Sequence, residues 1–318
     1  MNYSDIRLAI ANWYALNGRH DLPWRRTDDP YRIYISEMML QQTQVKTVLE
    51  RFYGPFLERF PTLQSVADAS LDDLLHAWQG LGYYRRARYI HETAKRCAPD
   101  LPTEPEALMK LPGIGKSTAH AIAAFAAHRP VAVLDANVRR ILHRFFAQKS
   151  RSEKILWNLA ETLLDRTNPY TYNQAMMDIG ATVCLPKAPL CGRCPLATRC
   201  RGKSDPLAYP APAQKKRRPI KHQIYLWVEK QGKILMQKRK GEMLGGLWEL
   251  PAVEKAPSEG KKVAEVVHDY THFRRIAEIY EVKEEKGVEG EWLGKADLRD
   301  IALSSLERKI FEKLHFTL

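Results

Sequence analysis

Three groups of residues in this 318-residue chain have types and spacings that could do chemistry. The first is Leu111-Pro112-Gly113-Ile114-Gly115, followed by Lys116-Ser117-Thr118. Gly113 and Gly115 bracket one apolar residue in a tight turn whose backbone can approach a partner closely, because no side chain intervenes. Ser117 and Thr118 start a run of small, helix-compatible residues. A glycine turn that feeds a helix aims free N–H groups and the positive end of the helix dipole outward, which is a phosphate site by geometry. The second group, Val131-Ala132-Val133-Leu134-Asp135-Ala136-Asn137-Val138-Arg139-Arg140, sets an acid and an amide where an apolar segment gives way to a basic helix. The third is a cysteine quartet, Cys184, Cys191, Cys194 and Cys200, spaced C-x6-C-x2-C-x5-C. Thiolates are soft ligands that suit iron–sulfur or zinc, and structural zinc usually shows two C-x2-C pairs instead of one compact loop. Cys97 stands outside the pattern and reads as a core thiol.

Composition sets outer bounds. The formal charge of +13 points to a polyanionic partner, since Lys and Arg contacts to phosphate dominate nucleic-acid affinity. No N-terminal apolar stretch reads as a signal peptide, and no apolar run approaches a membrane span, so no membrane partner is expected. In such a chain clustered cysteines read as a metal or iron–sulfur site, not as disulfides. The length allows two domains with a real core.

The elements that must position these groups are helical first. Residues 3–17 pattern as an amphipathic helix, broken by Leu22-Pro23-Trp24-Arg25. Residues 33–53 carry the strongest helical period, with Glu37, Gln41 and Gln44 at i, i+4 and i+7 on one face. Further helices are expected at 65–68, 72–78, 84–97, 105–110, 153–165 and 172–183, so the first two hundred residues read as nearly all helix. The character then changes. A basic, proline-rich linker spans 206–222 and includes Lys215-Lys216-Arg217-Arg218. Strand-like stretches follow at 224–229 and 233–238 about a turn at Gln231-Gly232, then at 263–267 and 276–282. Ser304-x-x-Glu307 is a capping box that opens a last helix. The expected fold is a mainly α catalytic domain over 1–205 and a small α+β domain over 223–318.

The glycine turn, Ser117-Thr118 and the Asp135-Ala136-Asn137-Val138-Arg139-Arg140 run together resemble the helix-hairpin-helix DNA glycosylase superfamily. There a hairpin of this form holds DNA phosphate and an aspartate after it is catalytic. The cysteine spacing is similar to the [4Fe–4S] loop of the endonuclease III and MutY branches. Trp24-Arg25, Ser36-Glu37-Met38-Met39-Leu40-Gln41-Gln42-Thr43-Gln44 and Gly80-Leu81-Gly82-Tyr83-Tyr84 resemble MutY-type segments nearly residue for residue. Bifunctional members carry a lysine nucleophile where this chain has Ser117. Lys116 is one position early, a quarter turn or more around a helix (about 100°), and a serine forms no Schiff base. Arg139 stands where some relatives have lysine, and a guanidinium is a poor imine former. The chain is therefore identified as a member of the monofunctional MutY-type branch, the adenine DNA glycosylases.

That resemblance implies roles. Glu37 would protonate the departing adenine, Asp135 would stabilise the cationic sugar, and Asn137 would orient the water or Asp135. An N-glycosidic bond to a neutral purine needs such a pair: a proton for the base and an anion beside the oxocarbenium-like centre. Glu37 must be kept protonated in a dry pocket while Asp135 stays ionised. Gln42 and Tyr83 would fill the gap that the extruded base leaves. Arg25, Glu37 and Gln174, the last in Tyr172-Asn173-Gln174-Ala175-Met176-Met177-Asp178, would read that base. Gly113, Gly115 and Ser117 would meet phosphate, and Cys184, Cys191, Cys194 and Cys200 would hold a [4Fe–4S] cluster. Leu235-Met236-Gln237-Lys238-Arg239 and Gly245-Gly246-Leu247-Trp248-Glu249-Leu250-Pro251 are similar to the branch's Nudix-like C-terminal domain. No glutamate-rich magnesium helix follows Pro251, so no pyrophosphohydrolase activity is expected. Tyr270-Thr271-His272 aligns with the family's Phe-Ser-His triplet, which makes Thr271 and His272 readers of 8-oxoguanine.

The expected partner is double-stranded DNA with an A:8-oxoG or A:G mispair, bound by a monomer in the bacterial cytoplasm at the nucleoid. Three competing readings remain. Ser117 opposes an endonuclease III-like glycosylase/AP lyase, the Glu37 and Asp135 pair opposes a non-catalytic iron–sulfur DNA-binding protein, and the missing glutamate helix opposes a Nudix hydrolase.

Overall fold

Proline and capping residues set where the helices start. In the computed structural model, which describes residues 3–210, 217–241, 244–283 and 288–316, the chain runs through α1 (Ser4–Asn17), α2 (Pro30–Leu40), α3 (Val45–Arg51), α4 (Tyr53–Arg59), α5 (Leu63–Asp68), α6 (Leu71–Ala77), α7 (Arg85–Cys97), α8 (Pro105–Leu108), α9 (Lys116–Ala126), α10 (Ala136–Phe145), α11 (Glu153–Leu163) and α12 (Pro169–Thr182). Strands β1 (Ile220–Trp227), β2 (Glu229–Lys230), β3 (Lys233–Lys238), β4 (Trp248–Glu249), β5 (Ala252–Val253), β6 (Lys261–Asp269), β7 (Arg274–Glu281) and β8 (Glu291–Leu293) follow, then α13 (Lys295–Asp300) and α14 (Ser305–Lys313). The middle of the expected linker, 211–216 with Lys215 and Lys216, lies outside the described residues. None of the described helices is long and apolar enough to cross a membrane. By packing, the chain forms two units: Met1–Tyr53, Thr62–Gln64 and Arg96–Gln214 in one, Gly54–Pro61, Ser65–Lys95 and Lys215–Leu318 in the other.

In the first unit α1 buries Ile6, Ile10 and Tyr14 in a core shared with Val138, Ile141, Leu142 and Phe145 of α10, Leu156 and Leu163 of α11, and Met176 and Ile179 of α12. Asp29 accepts the N–H of Tyr31 to cap α2, with Pro30 in the first turn, where its missing N–H costs nothing. Asp135 caps α10 and Asn168 caps α12 in the same way. The single helix expected over 33–53 is not there. α2 ends at Leu40, Gln42 takes a left-handed backbone with φ of 58°, and α3 restarts at Val45. Four successive polar residues, Gln41-Gln42-Thr43-Gln44, have nothing to bury, so continuing the helix there gains no packing.

The second unit carries a sheet in the order β5-β1-β7-β6, with β1 and β7 parallel and β6 antiparallel to β7. A smaller sheet orders β2-β3-β4, with β8 on β3. The β2–β3 turn has positive φ at both Gln231 (52°) and Gly232 (73°), the geometry that matches the twist of a two-residue hairpin. Tyr225, Trp227, Met236, Trp248, Ile279, Leu306, Ile310 and Phe311 make its core. Ser304 accepts the N–H groups of Leu306 and Glu307 and so starts α14 at the expected residue. α6 and α7 belong to this unit: the Tyr84 hydroxyl donates to the Leu303 carbonyl (3.4 Å) and Lys238 pairs with Asp72 (2.7 Å).

One buried ion pair ties the first unit's N-terminus to α12. Arg25 grips Asp178 with both terminal nitrogens, Nη1 to Oδ2 at 2.6 Å and Nη2 to Oδ1 at 2.8 Å, and the Arg19 backbone N–H donates to Oδ2 at 2.9 Å. Burial alone would push the Asp178 carboxyl up, but the hydrogen bonds and charges of Arg25 and Arg19 outweigh it and hold the group below its ordinary range. Asp178→Asn would leave Arg25 buried and unpaired, at a cost of about 3–5 kcal/mol. The melting temperature should therefore fall well below that of the parent at neutral pH. A carboxyl with a depressed pKa contributes stability that disappears as pH falls through that pKa, so the gap should narrow in acid.

Candidate active site

Glu37 lies one turn before the end of α2, flanked by Ser36, Met38 and Met39, all buried. It is itself half-buried, and its carboxyl has no hydrogen-bond partner among the described residues. Burial pushes it up, the negative charge of Asp135 pushes it further and Arg25 draws it part of the way back, leaving it at about 7. Asp135, at the start of α10, is held differently. Its Oδ1 accepts from the Val138 N–H (2.7 Å) and its Oδ2 from Asn137 Nδ2 (3.1 Å). Burial raises this carboxyl too, and those donors and the charge of Arg140 offset part of the rise. Two acids nearly a hundred positions apart in the chain thus share one electrostatic environment, one bare and one clothed in donors.

Asn137 is fixed in turn. Arg140 Nη2 donates to Asn137 Oδ1 (2.9 Å) and to the Gly180 carbonyl (2.7 Å), and Arg140 Nε donates to the Cys184 carbonyl (2.7 Å). Gly180 has no room for a side chain, because a Cβ there would sit 2.4 Å from the Asn137 Cβ. Gln174, one turn before Asp178 on α12, is 3% exposed, and its amide has no hydrogen-bond partner among the described residues. The Arg25 side chain is 3% exposed and bound to Asp178, so it acts on Glu37 through its charge.

At the hairpin, Gly113 takes φ of 71° and Gly115 is the N-cap of α9, with no side-chain cap and open space where a Cβ would point. The first N–H groups of α9 are left for an anion. Ser117 is half-buried. Thr118 Oγ1 accepts from Gln41 Nε2 (3.4 Å), toward α2, while Lys116 Nζ lies 4.1 Å from the centre of the Trp157 ring. Gln42 is exposed on its left-handed backbone.

The four cysteines line one cavity with Arg144, a buried arginine that donates to the Leu185 carbonyl (2.7 Å), the Pro186 carbonyl (2.9 Å) and Cys184 Sγ (3.3 Å). Among the described residues no three metal-ligating side chains converge on one ion position. In the second unit Tyr83 is 41% exposed with φ of 49°, and its hydroxyl lies 2.8 Å from Thr271 Oγ1. Thr271 and His272 are exposed at the tip of the β6–β7 hairpin, which the Tyr270 N–H closes onto the Phe273 carbonyl (2.9 Å). Asp178, Arg140, Arg144 and Gly180 carry no role in the sequence reading. Their one local signal is a charge or a glycine on an otherwise apolar helix face.

Residues 35–165 match the family of HhH-GPD superfamily base excision DNA repair proteins, and residues 224–313 match the NUDIX domain. The adenine DNA glycosylase of Buchnera aphidicola subsp. Schizaphis graminum is 40% identical over 70% of this chain and 69% of its own length. That of Homo sapiens is 30% identical over 96% of this chain and 73% of its own. The chain belongs to the adenine DNA glycosylase family. It is a base excision repair glycosylase that hydrolyses the N-glycosidic bond of adenine in DNA. A thermostable thymine-DNA glycosylase of known structure is 28% identical to it, with a TM-score of 0.58 over 62% of this chain and 94% of that one. A non-covalent endonuclease III–DNA complex, 21% identical with a TM-score of 0.54 over 64% and 97%, shares the fold of the glycosylase's helical part.

In this glycosylase Gly180→Ala should displace Asn137 without removing a hydrogen-bonding group. Single-turnover adenine release should fall about tenfold or more, as small displacements of a reacting constellation do, while the far-UV circular dichroism stays that of the parent.

Proposed function

We propose that the enzyme is monofunctional and removes adenine paired with 8-oxoguanine or guanine in duplex DNA, with Glu37 as proton donor and Asp135 as the sugar-facing anion. The carrying observation is the contrast between the two carboxyls: Glu37 lacks donors and titrates at about 7, while Asp135 accepts from Val138 and Asn137. Glu37 gives its proton to a ring nitrogen of the extruded adenine, and the bond between C1′ and the base breaks with its electron pair leaving on the base. The ionised Asp135 stabilises the cation left on the sugar. Water then adds at C1′, completing hydrolysis, and its proton returns to a carboxylate of the pair. Asn137 holds Asp135 in place, and Gln174 offers an unengaged amide to the base.

The absence of a lyase step is supported by Ser117 and by where the nearby cations go. Lys116 lies over Trp157, and two positions along an α-helix is about 200°, so it faces away from the side on which Thr118 meets Gln41. Arg139 is bidentate to Glu153 (2.5 and 2.8 Å). The quartet Cys184, Cys191, Cys194 and Cys200 suits a [4Fe–4S] cluster. Four soft thiol donors lining one cavity beside the Arg144 guanidinium are a donor set that such a cluster takes. The cluster would fix the loop that carries Lys187 and Arg193 against phosphate. Residues 1–205 are the catalytic domain, in which Gln42 and Tyr83 fill the gap that the extruded adenine leaves, and 223–318 the lesion-reading domain, in which Thr271 and His272 meet the base opposite adenine. The enzyme works as a monomer in the cytoplasm.

Single-turnover excision on duplexes with adenine opposite 8-oxoguanine tests this reading. The rate should fall above pH 7 as Glu37 loses its proton and again in acid as Asp135 gains one. Asp135→Asn should bind the duplex as the parent does and release adenine at least about a thousandfold more slowly. Equal losses of binding and release would contradict the role, and covalent trapping by borohydride would restore the lyase. Thr271→Ala should reduce the preference for 8-oxoguanine over guanine opposite adenine, and an unchanged ratio would remove that assignment.

A further inference from the structure

Tyr83 has a built foundation that the wedge role alone does not explain. A tyrosine with φ of 49° needs surrounding structure to hold it there. That structure is Arg86, in the first turn of α7 and only 5% exposed. Its guanidinium carbon lies 5.4 Å from the centre of the Tyr83 ring and 5.4 Å from that of Trp78. Its Nη2 donates to the Gly82 carbonyl (3.0 Å) and the Leu81 carbonyl (3.4 Å), and its backbone N–H donates to the Tyr83 carbonyl (2.9 Å). Trp78 Nε1 donates to the same Gly82 carbonyl at 3.1 Å. At the far end of the ring the hydroxyl meets Thr271.

We infer that Arg86 is a positioning residue for adenine extrusion: with Trp78 it clamps the 81–83 turn and backs the Tyr83 ring, so the wedge is already erect before DNA arrives. The inference rests on the proposed wedge role of Tyr83. A planar guanidinium can bind two carbonyls and lie against an aromatic ring at once. An ammonium keeps the charge and loses both the plane and the fork. A wedge that is fixed in advance avoids the entropy of ordering it while the duplex opens.

The test is a double-mutant cycle on the full-length enzyme, read by single-turnover excision of adenine opposite 8-oxoguanine and by affinity for the same duplex. Arg86→Lys should slow excision about tenfold and change affinity less than about twofold. In a Tyr83→Ala background the same substitution should have no further effect, because the group it positions is gone. A loss equally large in both backgrounds would mean that Arg86 serves the fold generally, and no loss in either would also overturn the inference. Should Tyr83→Ala alone leave excision unchanged, the wedge reading itself fails, a separate outcome. Arg86→Gln with a melting curve controls for instability, since a variant that melts like the parent and still excises slowly supports positioning.

Discussion

The structure depends first on one electrostatic constraint, that two carboxyls placed where each feels the other cannot both ionise cheaply. Water would screen them, and burial removes the water. The group with fewer donors keeps its proton. Glu37 has no donor among the described residues and Asp135 has the N-terminus of α10 and Asn137. The asymmetry is made by backbone as much as by side chains. Asp135 is an N-cap, so the orphan N–H groups of a helix start, together with the positive end of its dipole, favour its charge. Glu37 sits near the C-terminal end of α2, where the dipole disfavours an anion. Both carboxyls are raised by burial, and the two helices press on them in opposite senses, the α10 N-terminus lowering Asp135 and the α2 C-terminal end disfavouring the Glu37 anion.

Arginines carry that arrangement into the fold. Arg25 is locked onto Asp178 at the edge of the site and tempers Glu37 through its charge. Arg140 joins Asn137, the Gly180 carbonyl and the Cys184 carbonyl, so the start of α10, the end of α12 and the first cysteine hold one geometry. Arg144, one turn later on α10, takes the next two carbonyls of the cysteine loop. Buried guanidiniums cost desolvation, and they are tolerated here because backbone carbonyls and one carboxylate accept from their terminal nitrogens, although Arg25 Nε and Arg144 Nε are buried without an acceptor among the described residues. A bridge built on carbonyls constrains backbone position and is indifferent to which side chains surround it.

Local chemistry was legible in the residues themselves, whereas long-range pairing was not, the meeting of Glu37 with Asp135 being expected only from the family resemblance. The turn at Gly113 and Gly115, the Gln231-Gly232 turn and the Ser304 cap follow from residues within a few positions of each other, and the four cysteines that line one cavity fall within one short stretch. The Arg25–Asp178 pair spans 153 positions, and neither residue's neighbours announce it. The break after α2 was hidden for another reason. Met38, Met39, Val45, Val48, Leu49 and Phe52 keep a helical spacing across the gap, so periodicity reads straight through a segment where nothing is buried. The same limit applies to the second unit, where α6 and α7 pack with strands more than a hundred positions away.

Both residues assigned to open the duplex, Gln42 and Tyr83, are non-glycine residues on left-handed backbone, although each lies in a different unit of the chain. On these turns the Gln42 side chain is exposed and that of Tyr83 is 41% exposed. Glycine would adopt the conformation more cheaply and would present nothing to a base stack. The strain is therefore the cost of combining a reversed backbone with a bulky side chain. It is sustained at Tyr83 by the guanidinium, indole and hydroxyl that surround it. Under the proposed wedge role, the interruption of the helix at Gln41–Gln44, where little is buried, would serve to present Gln42 to the duplex.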